Sequence, residues 1–152
     1  AEADVHVPNL TEAALLLGET YAQGPYEREY LEGVLHRHSA MGPRRVVLTG
    51  VWFDGEKLGA ACYDRETKET SYSLAPRIEG YFHGTGDVFA SVLVGSLLSG
   101  LDLPQAVALA VDFTAASIRR TRDAGTDIRF GVNFEAGLPA LAEQAKLLLP
   151  SD

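Results

Sequence analysis

A chain of 152 residues, 46% hydrophobic and 22% charged, has the balance of an ordinary globular domain with one expected core, neither disordered nor fibrous. A net charge of −8 argues against broad contact with nucleic acid or an anionic membrane, since both repel a negative surface. No apolar run approaches the roughly 20 residues that span a bilayer, the first residues lack the basic-then-apolar pattern of a signal peptide, and a cytoplasmic protein is expected.

Cys62 is the single cysteine, which excludes an internal disulfide and a cysteine-rich zinc site. The histidines His6, His36, His38 and His83 are scattered. Residues two apart on a helix do not share a face, so His36 and His38 cannot form a joint metal site, and all four are expected to be ordinary surface or partly buried residues.

Asp4 to Val7 alternates in character and runs into Pro8-Asn9, which predicts a short strand. A helix follows over Thr11 to Leu17, with Gly18 as its stop. Tyr26, Tyr30, Leu31, Val34, Leu35 and His38 recur at helical spacing, so a second helix is predicted from about Tyr26 to Ser39, its other face carrying Glu27, Arg28, Glu32 and Arg37. Gly42-Pro43 breaks it.

Arg45 to Phe53 reads as a Val-rich strand, Asp54-Gly55 as a turn, and Lys57 to Tyr63 as the returning strand of a hairpin. Thr70 to Leu74 alternates as a third antiparallel strand would. From Val88 to Leu98 the spacing predicts a helix buried on two faces, one of large apolar residues and one of small Ala, Ser and Gly. Asp102-Leu103-Pro104 opens a further helix to about Arg122, and Gly137-Leu138-Pro139 opens the last, with Leu138, Leu141, Ala145 and Leu148 on one stripe. The pattern predicts an α/β layered fold with a mixed sheet that includes an antiparallel hairpin.

The strongest local chemical signal is His83-Gly84-Thr85-Gly86-Asp87 immediately before the Val88 helix. Two glycines let backbone amides approach an anion, and a helix N-terminus adds unpaired N–H groups and a positive dipole end. Asp87 beside such a site is placed to accept the proton of an attacking hydroxyl. The plainer reading is a Gly-rich turn with an acidic residue favoured in the first helical turn. It is neither a Walker A loop, which needs Gly-Lys-Ser/Thr, nor a full dinucleotide fingerprint, because Phe89 stands at the third glycine's place.

Asn9-Leu10-Thr11-Glu12 lies at a strand-to-helix junction. Its amide and carboxylate oxygens suit magnesium, held through water, but they equally suit a helix cap with Glu12 in the first turn.

Taken together and in this order, Pro8-Asn9-Leu10-Thr11-Glu12-Ala13-Ala14, Val46-Val47-Leu48-Thr49-Gly50 and Phe82-His83-Gly84-Thr85-Gly86-Asp87 resemble the ribokinase superfamily, especially its pyridoxal kinase branch. The resemblance covers nearly the whole chain, which is similar to the C-terminal half of that layered fold, a single nucleotide-binding and catalytic region over 1–152. It implies that Asn9 and Glu12 help organise Mg2+, that Gly84, Thr85 and Gly86 form the anion hole, and that Asp87 is the catalytic base. Thr49 resembles the strand-end hydroxyl near the ATP phosphates, although threonine at a strand end is also a simple β-former. Gly131-Val132-Asn133-Phe134-Glu135 lies where the superfamily builds the adenine-side wall.

The resemblance implies ATP-dependent phosphorylation of the hydroxymethyl group of pyridoxal or a related B6 vitamer, with ATP as co-substrate, Mg2+, and a monovalent cation as a further family cofactor. Related hydroxymethylpyrimidine phosphate kinases carry cysteine where Asp87 stands. Sugar kinases of the superfamily share the aspartate, and a catalytically silent nucleotide-binding or interaction module is a third reading. Family members carry another N-terminal half with most of the residues that enclose the vitamin. The chain by itself is therefore expected to be inactive, and to form a homo-oligomer or to pair with that half.

Overall fold

The computed structural model describes residues 4–80, 82–125, 127, 129 and 131–151. It forms an α/β protein with two compact units, Ala1–Leu74 and Ala75–Asp152.

The first unit opens with β1 (Val5–His6), α1 (Leu10–Leu17) and α2 (Arg28–Ala40), followed by β2 (Arg45–Val51), β3 (Lys57–Asp64) and β4 (Glu69–Pro76). The strands form one mixed sheet in the order β1-β2-β3-β4. β1 runs parallel to β2, with Val5 opposite Arg45 and His6 opposite Val46, whereas β3 returns antiparallel to β2. Val46, Val47 and Leu48 are completely buried. α1 and α2 pack together on the face of β2 that carries Val46, Leu48 and Val51.

β2 stops at Val51 rather than Phe53 because its ladder slips at Gly50. The register passes from Thr49 opposite Ala60 to Val51 opposite Gly59, and Gly50 takes a left-handed φ of 76°. The expected turn follows, with Asp54 Oδ1 accepting the Glu56 N–H at 2.9 Å. β4 is longer than the alternation predicts, extending to Glu69 and Pro76.

α2 begins at Arg28, after Tyr26, because Glu27, its N-cap, is still extended at φ −95° and ψ 148°. Tyr26 nevertheless keeps its place in the core, 6.0 Å from both the Tyr30 and Trp52 rings. The outer face of α2 is also engaged. The Arg28 guanidinium lies over the rings of Phe53 and Tyr72, and Tyr72 Oη donates to Glu32 Oε1 at 3.2 Å. Burial and the Glu32 charge together push the Tyr72 hydroxyl up to about 12.

The second unit contains α3 (Thr85–Leu98), α4 (Leu103–Ala124), a 3₁₀ turn at Glu135–Gly137 and α5 (Leu138–Leu148). α4 starts on a capping box, with Asp102 Oδ1 accepting the Gln105 N–H at 2.9 Å and Gln105 Oε1 accepting the Asp102 N–H at 3.2 Å. Pro104 occupies its first turn and Gly125, at φ 61°, ends it.

One helix expectation is corrected here, for α3. α3 buries Phe89, Val92, Leu93 and Ser96, but Leu98 is 84% exposed, so it is not closed on two faces. None of α5 is buried, and its Leu138 and Leu148 remain partly open.

Candidate functional site

In the first unit, Asn9 is the N-cap of α1 in extended conformation, at φ −76° and ψ 169°. Its Oδ1 accepts the Glu12 N–H at 2.8 Å, and Glu12 Oε2 accepts the Asn9 N–H at 2.9 Å. The helix-start geometry is thus complete. Asn9 also forms a parallel bridge to Thr49, whose N–H donates to the Pro8 carbonyl at 3.1 Å. The strand-end hydroxyl residue and the N-x-x-E turn therefore lie side by side at one end of β2.

Asn9 and Glu12 are exposed, and Thr49 is half-buried. Among the described residues, no three His, Cys, Asp or Glu side chains converge on a point where a metal ion could sit. A single exposed carboxylate beside an amide fits a hydrated Mg2+ touched through water, since that ion dehydrates reluctantly and takes few protein ligands. It does not fit a stripped ion in a carboxylate cage.

His38 departs from the expectation of an ordinary surface or partly buried residue, being only 1% exposed. Its Nε2 lies 3.0 Å from the Ala13 carbonyl oxygen. The His6 ring stands 5.5 Å from it, and burial lowers the His6 pKa, helped by His38 and opposed by Glu12. His36, by contrast, points to Tyr63, 4.4 Å between ring centroids, so the two histidines do diverge as helical spacing requires. The burial of His38 was legible in principle, because it falls on the apolar stripe of α2.

In the second unit, Gly84 is the N-cap of α3 with φ 81°, a left-handed conformation open to glycine. α3 begins at Thr85, three residues earlier than the apolar spacing indicates, so Thr85, Gly86 and Asp87 form its first turn. No side chain of the N-cap closes that turn, and a Cβ built on Gly84 or Gly86 would meet no atom within 4 Å. The amides at a helix start have no intrahelical acceptor, so this open turn presents donors and a positive dipole end to an approaching anion. Asp87 is exposed in the same turn.

Asp87 also lines a cavity of about 560 Å³ whose walls are largely apolar. Ser91 and Gly95 of α3, its C-cap Ser99, Phe113 of α4, Phe134, and Leu141 of α5 also line it. The Phe134 segment is held in place by α4. Asn133 N–H donates to Thr121 Oγ1 at 2.7 Å, that hydroxyl donates to the Ser117 carbonyl at 2.8 Å, and Arg120 donates to the Asn133 carbonyl. Gly131, at φ 81°, passes close to the His83 carbonyl, which brings this segment beside the Gly84 turn. The resemblance put this segment at the adenine-side wall, but the residue pattern named none of its members as a site residue.

The capped N-x-x-E turn and the G-T-G-D helix start, in an α/β protein with a mixed sheet, are the features that carry the resemblance to the ribokinase superfamily. A family model for phosphomethylpyrimidine kinase matches residues 1–131. The chain is 34% identical over 125 residues to a pyridoxal kinase of Arabidopsis thaliana, covering 80% of this chain and 39% of that protein. It superposes on the pyridoxal kinase of Lactobacillus plantarum with a TM-score of 0.81 at 33% identity, over 96% of this chain and 51% of that one. It is also similar to the Staphylococcus aureus pyridoxal kinase in complex with AMP-PCP and pyridoxal, with a TM-score of 0.66 at 26% identity over 77% of this chain and 42% of the other. The chain belongs to the phosphomethylpyrimidine kinase family, as a pyridoxal kinase-like member of the ribokinase superfamily. It spans about half the length of these relatives, or less.

Proposed function

We propose that the complete protein transfers the γ-phosphoryl group of ATP to the hydroxymethyl group of pyridoxal or a related B6 vitamer. The observation that carries this reading is the α3 start, where Asp87 shares one open helical turn with the Thr85 and Gly86 amides. Asp87 accepts the proton of the attacking hydroxyl, and the turn's N–H groups stabilise charge developing on the transferring group. Asn9 and Glu12 would hold the water shell of a Mg2+ ion, whose contribution when bound would be to neutralise phosphate charge. Thr49, beside them on β2, offers a hydroxyl to phosphate.

Support for the acceptor comes from relatives that are pyridoxal kinases, one of them in complex with AMP-PCP and pyridoxal. The family model favours a second reading, a hydroxymethylpyrimidine acceptor. Asp87 weighs against it, because those enzymes resemble this motif but carry cysteine at the base position. Purified complete protein, assayed for ADP formation with pyridoxal, pyridoxine and hydroxymethylpyrimidine in turn, tests the proposal. ADP release dependent only on the pyrimidine would overturn it. The 152-residue chain alone should not turn over, since phosphoryl transfer depends on holding the acceptor in line and not on the base alone.

A further inference from the structure

We propose that His38 is a positioning residue for the magnesium-organising turn, acting on Glu12 through the backbone of α1. The inference rests on the role proposed for Asn9 and Glu12. α1 is only eight residues long, and the side it buries is Leu10, Ala13 and Ala14. Leu10 keys α1 into the core with Leu17 packed against it, and the two alanines let the helix approach α2 closely. To this apolar contact His38 adds a polar tie directed at the α1 backbone.

A continuous path leads from the cap to this tie. Asn9 C=O accepts the Ala13 N–H at 2.8 Å, and the Ala13 carbonyl accepts from His38 Nε2 at 3.0 Å. A carbonyl can only accept, so Nε2 carries a proton, and in the neutral ring Nδ1 is then the acceptor. Nδ1 is buried and has no hydrogen-bond partner among the described residues. An unsatisfied buried acceptor is a cost that a leucine or phenylalanine at this position would avoid, yet the imidazole stands there and directs its one donor at α1. Glu12 precedes Ala13 directly, so turning α1 moves its carboxylate and the Asn9 amide together.

The test uses the complete protein in four forms: wild type, His38→Leu, His38→Gln and Glu12→Gln. The glutamine amide keeps an N–H donor near the position of Nε2, while leucine removes it at similar volume. Isothermal titration with ATP, in the presence and absence of Mg2+, gives the factor by which the metal tightens nucleotide binding, and thermal melting reports the fold. The expected result is that His38→Leu lowers that factor roughly 3- to 10-fold, the worth of one hydrogen bond, with metal-free ATP affinity unchanged. His38→Gln should restore most of it.

A merely structural role would lower the melting temperature and both affinities alike, with no rescue by glutamine, and would overturn the proposal. A wild-type factor in His38→Leu, beside a reduced one in Glu12→Gln, would overturn the proposal while leaving the magnesium role intact. A wild-type factor in Glu12→Gln would overturn both.

Discussion

Asn9 and Glu12 hold each other, each side chain accepting the other's backbone N–H at 2.8 and 2.9 Å, so the residues proposed to organise magnesium also start α1. Structural and functional roles can be separated by choosing the substitution. Glu12→Gln keeps an oxygen for the Asn9 N–H and should melt like wild type. Glu12→Ala opens the box and should lose about 1 kcal/mol. In the complete protein, Glu12→Gln should raise the Mg2+ concentration needed for half-maximal ADP formation. An unchanged magnesium dependence, with the fold intact by circular dichroism, would leave the cap as the whole of its role.

Asp87 is exposed in the first turn of α3, where its carboxylate is not needed to cap the helix, since Gly84 is the N-cap. Asp87→Asn in the complete protein should therefore fold normally and bind ATP with nearly unchanged affinity, while turnover falls ~10²-fold or more, as expected for loss of a general base. Turnover at the wild-type level would remove Asp87 from the chemistry and return it to a favourable dipole contact.

Much of this arrangement was legible in the sequence. The Val-rich run of β2, the Asp54-Gly55 turn and the Asp102-Leu103-Pro104 start each state their structure locally, and the strands and helices fall within a few residues of the pattern. What was not legible depends on partners far along the chain. The α3 start was misplaced because Thr85, Gly86 and Asp87 lack the apolar spacing that marks a helix, although they adopt its backbone. His38 stood on the apolar stripe of α2, but its hydrogen bond was not legible because its acceptor, Ala13 C=O, is 25 residues away. The Phe134 segment carries no periodic signal and is positioned by Arg120 and Thr121 of α4.

Gly59 offers a test of packing in the first unit. It lies on β3 where β4 crosses so closely that an added Cβ would overlap the Ser73 carbonyl oxygen and crowd the Leu74 Cα. Both obstacles are backbone, which cannot swing aside as a side chain would. Gly59→Ala should lower stability by about 1–3 kcal/mol through strand displacement, the range for overpacking a tight site. Chemical denaturation of the chain measures it, with Gly55→Ala as a control at an open position where no atom lies within 4 Å. Equal midpoints for the two variants would contradict the close strand contact.

Asp64 should make the first unit acid-sensitive. Burial alone would raise its pKa, but Arg44 donates to both carboxylate oxygens at 3.1 and 3.2 Å, the Glu66 N–H donates at 2.9 Å, and Arg45 adds a longer contact. The net effect holds the carboxyl below its ordinary value. A depressed folded-state pKa means that the unfolded chain binds the proton more readily, so the stabilisation is fully present above the ordinary carboxylate value, near 4, and is lost as pH falls through the folded one. Asp64→Asn removes the charge that Arg44 and Arg45 share. It should reduce stability at pH 7 by about 2 kcal/mol, the scale of hydrogen bonds to a charged group. The difference should shrink below about pH 4, where the wild-type carboxylate itself becomes protonated. Urea titrations at pH 7 and at several acidic values give the two stability curves. Curves that stay parallel into acid would show that the loss came from packing, and that the Arg44 pair contributes no linkage to protons.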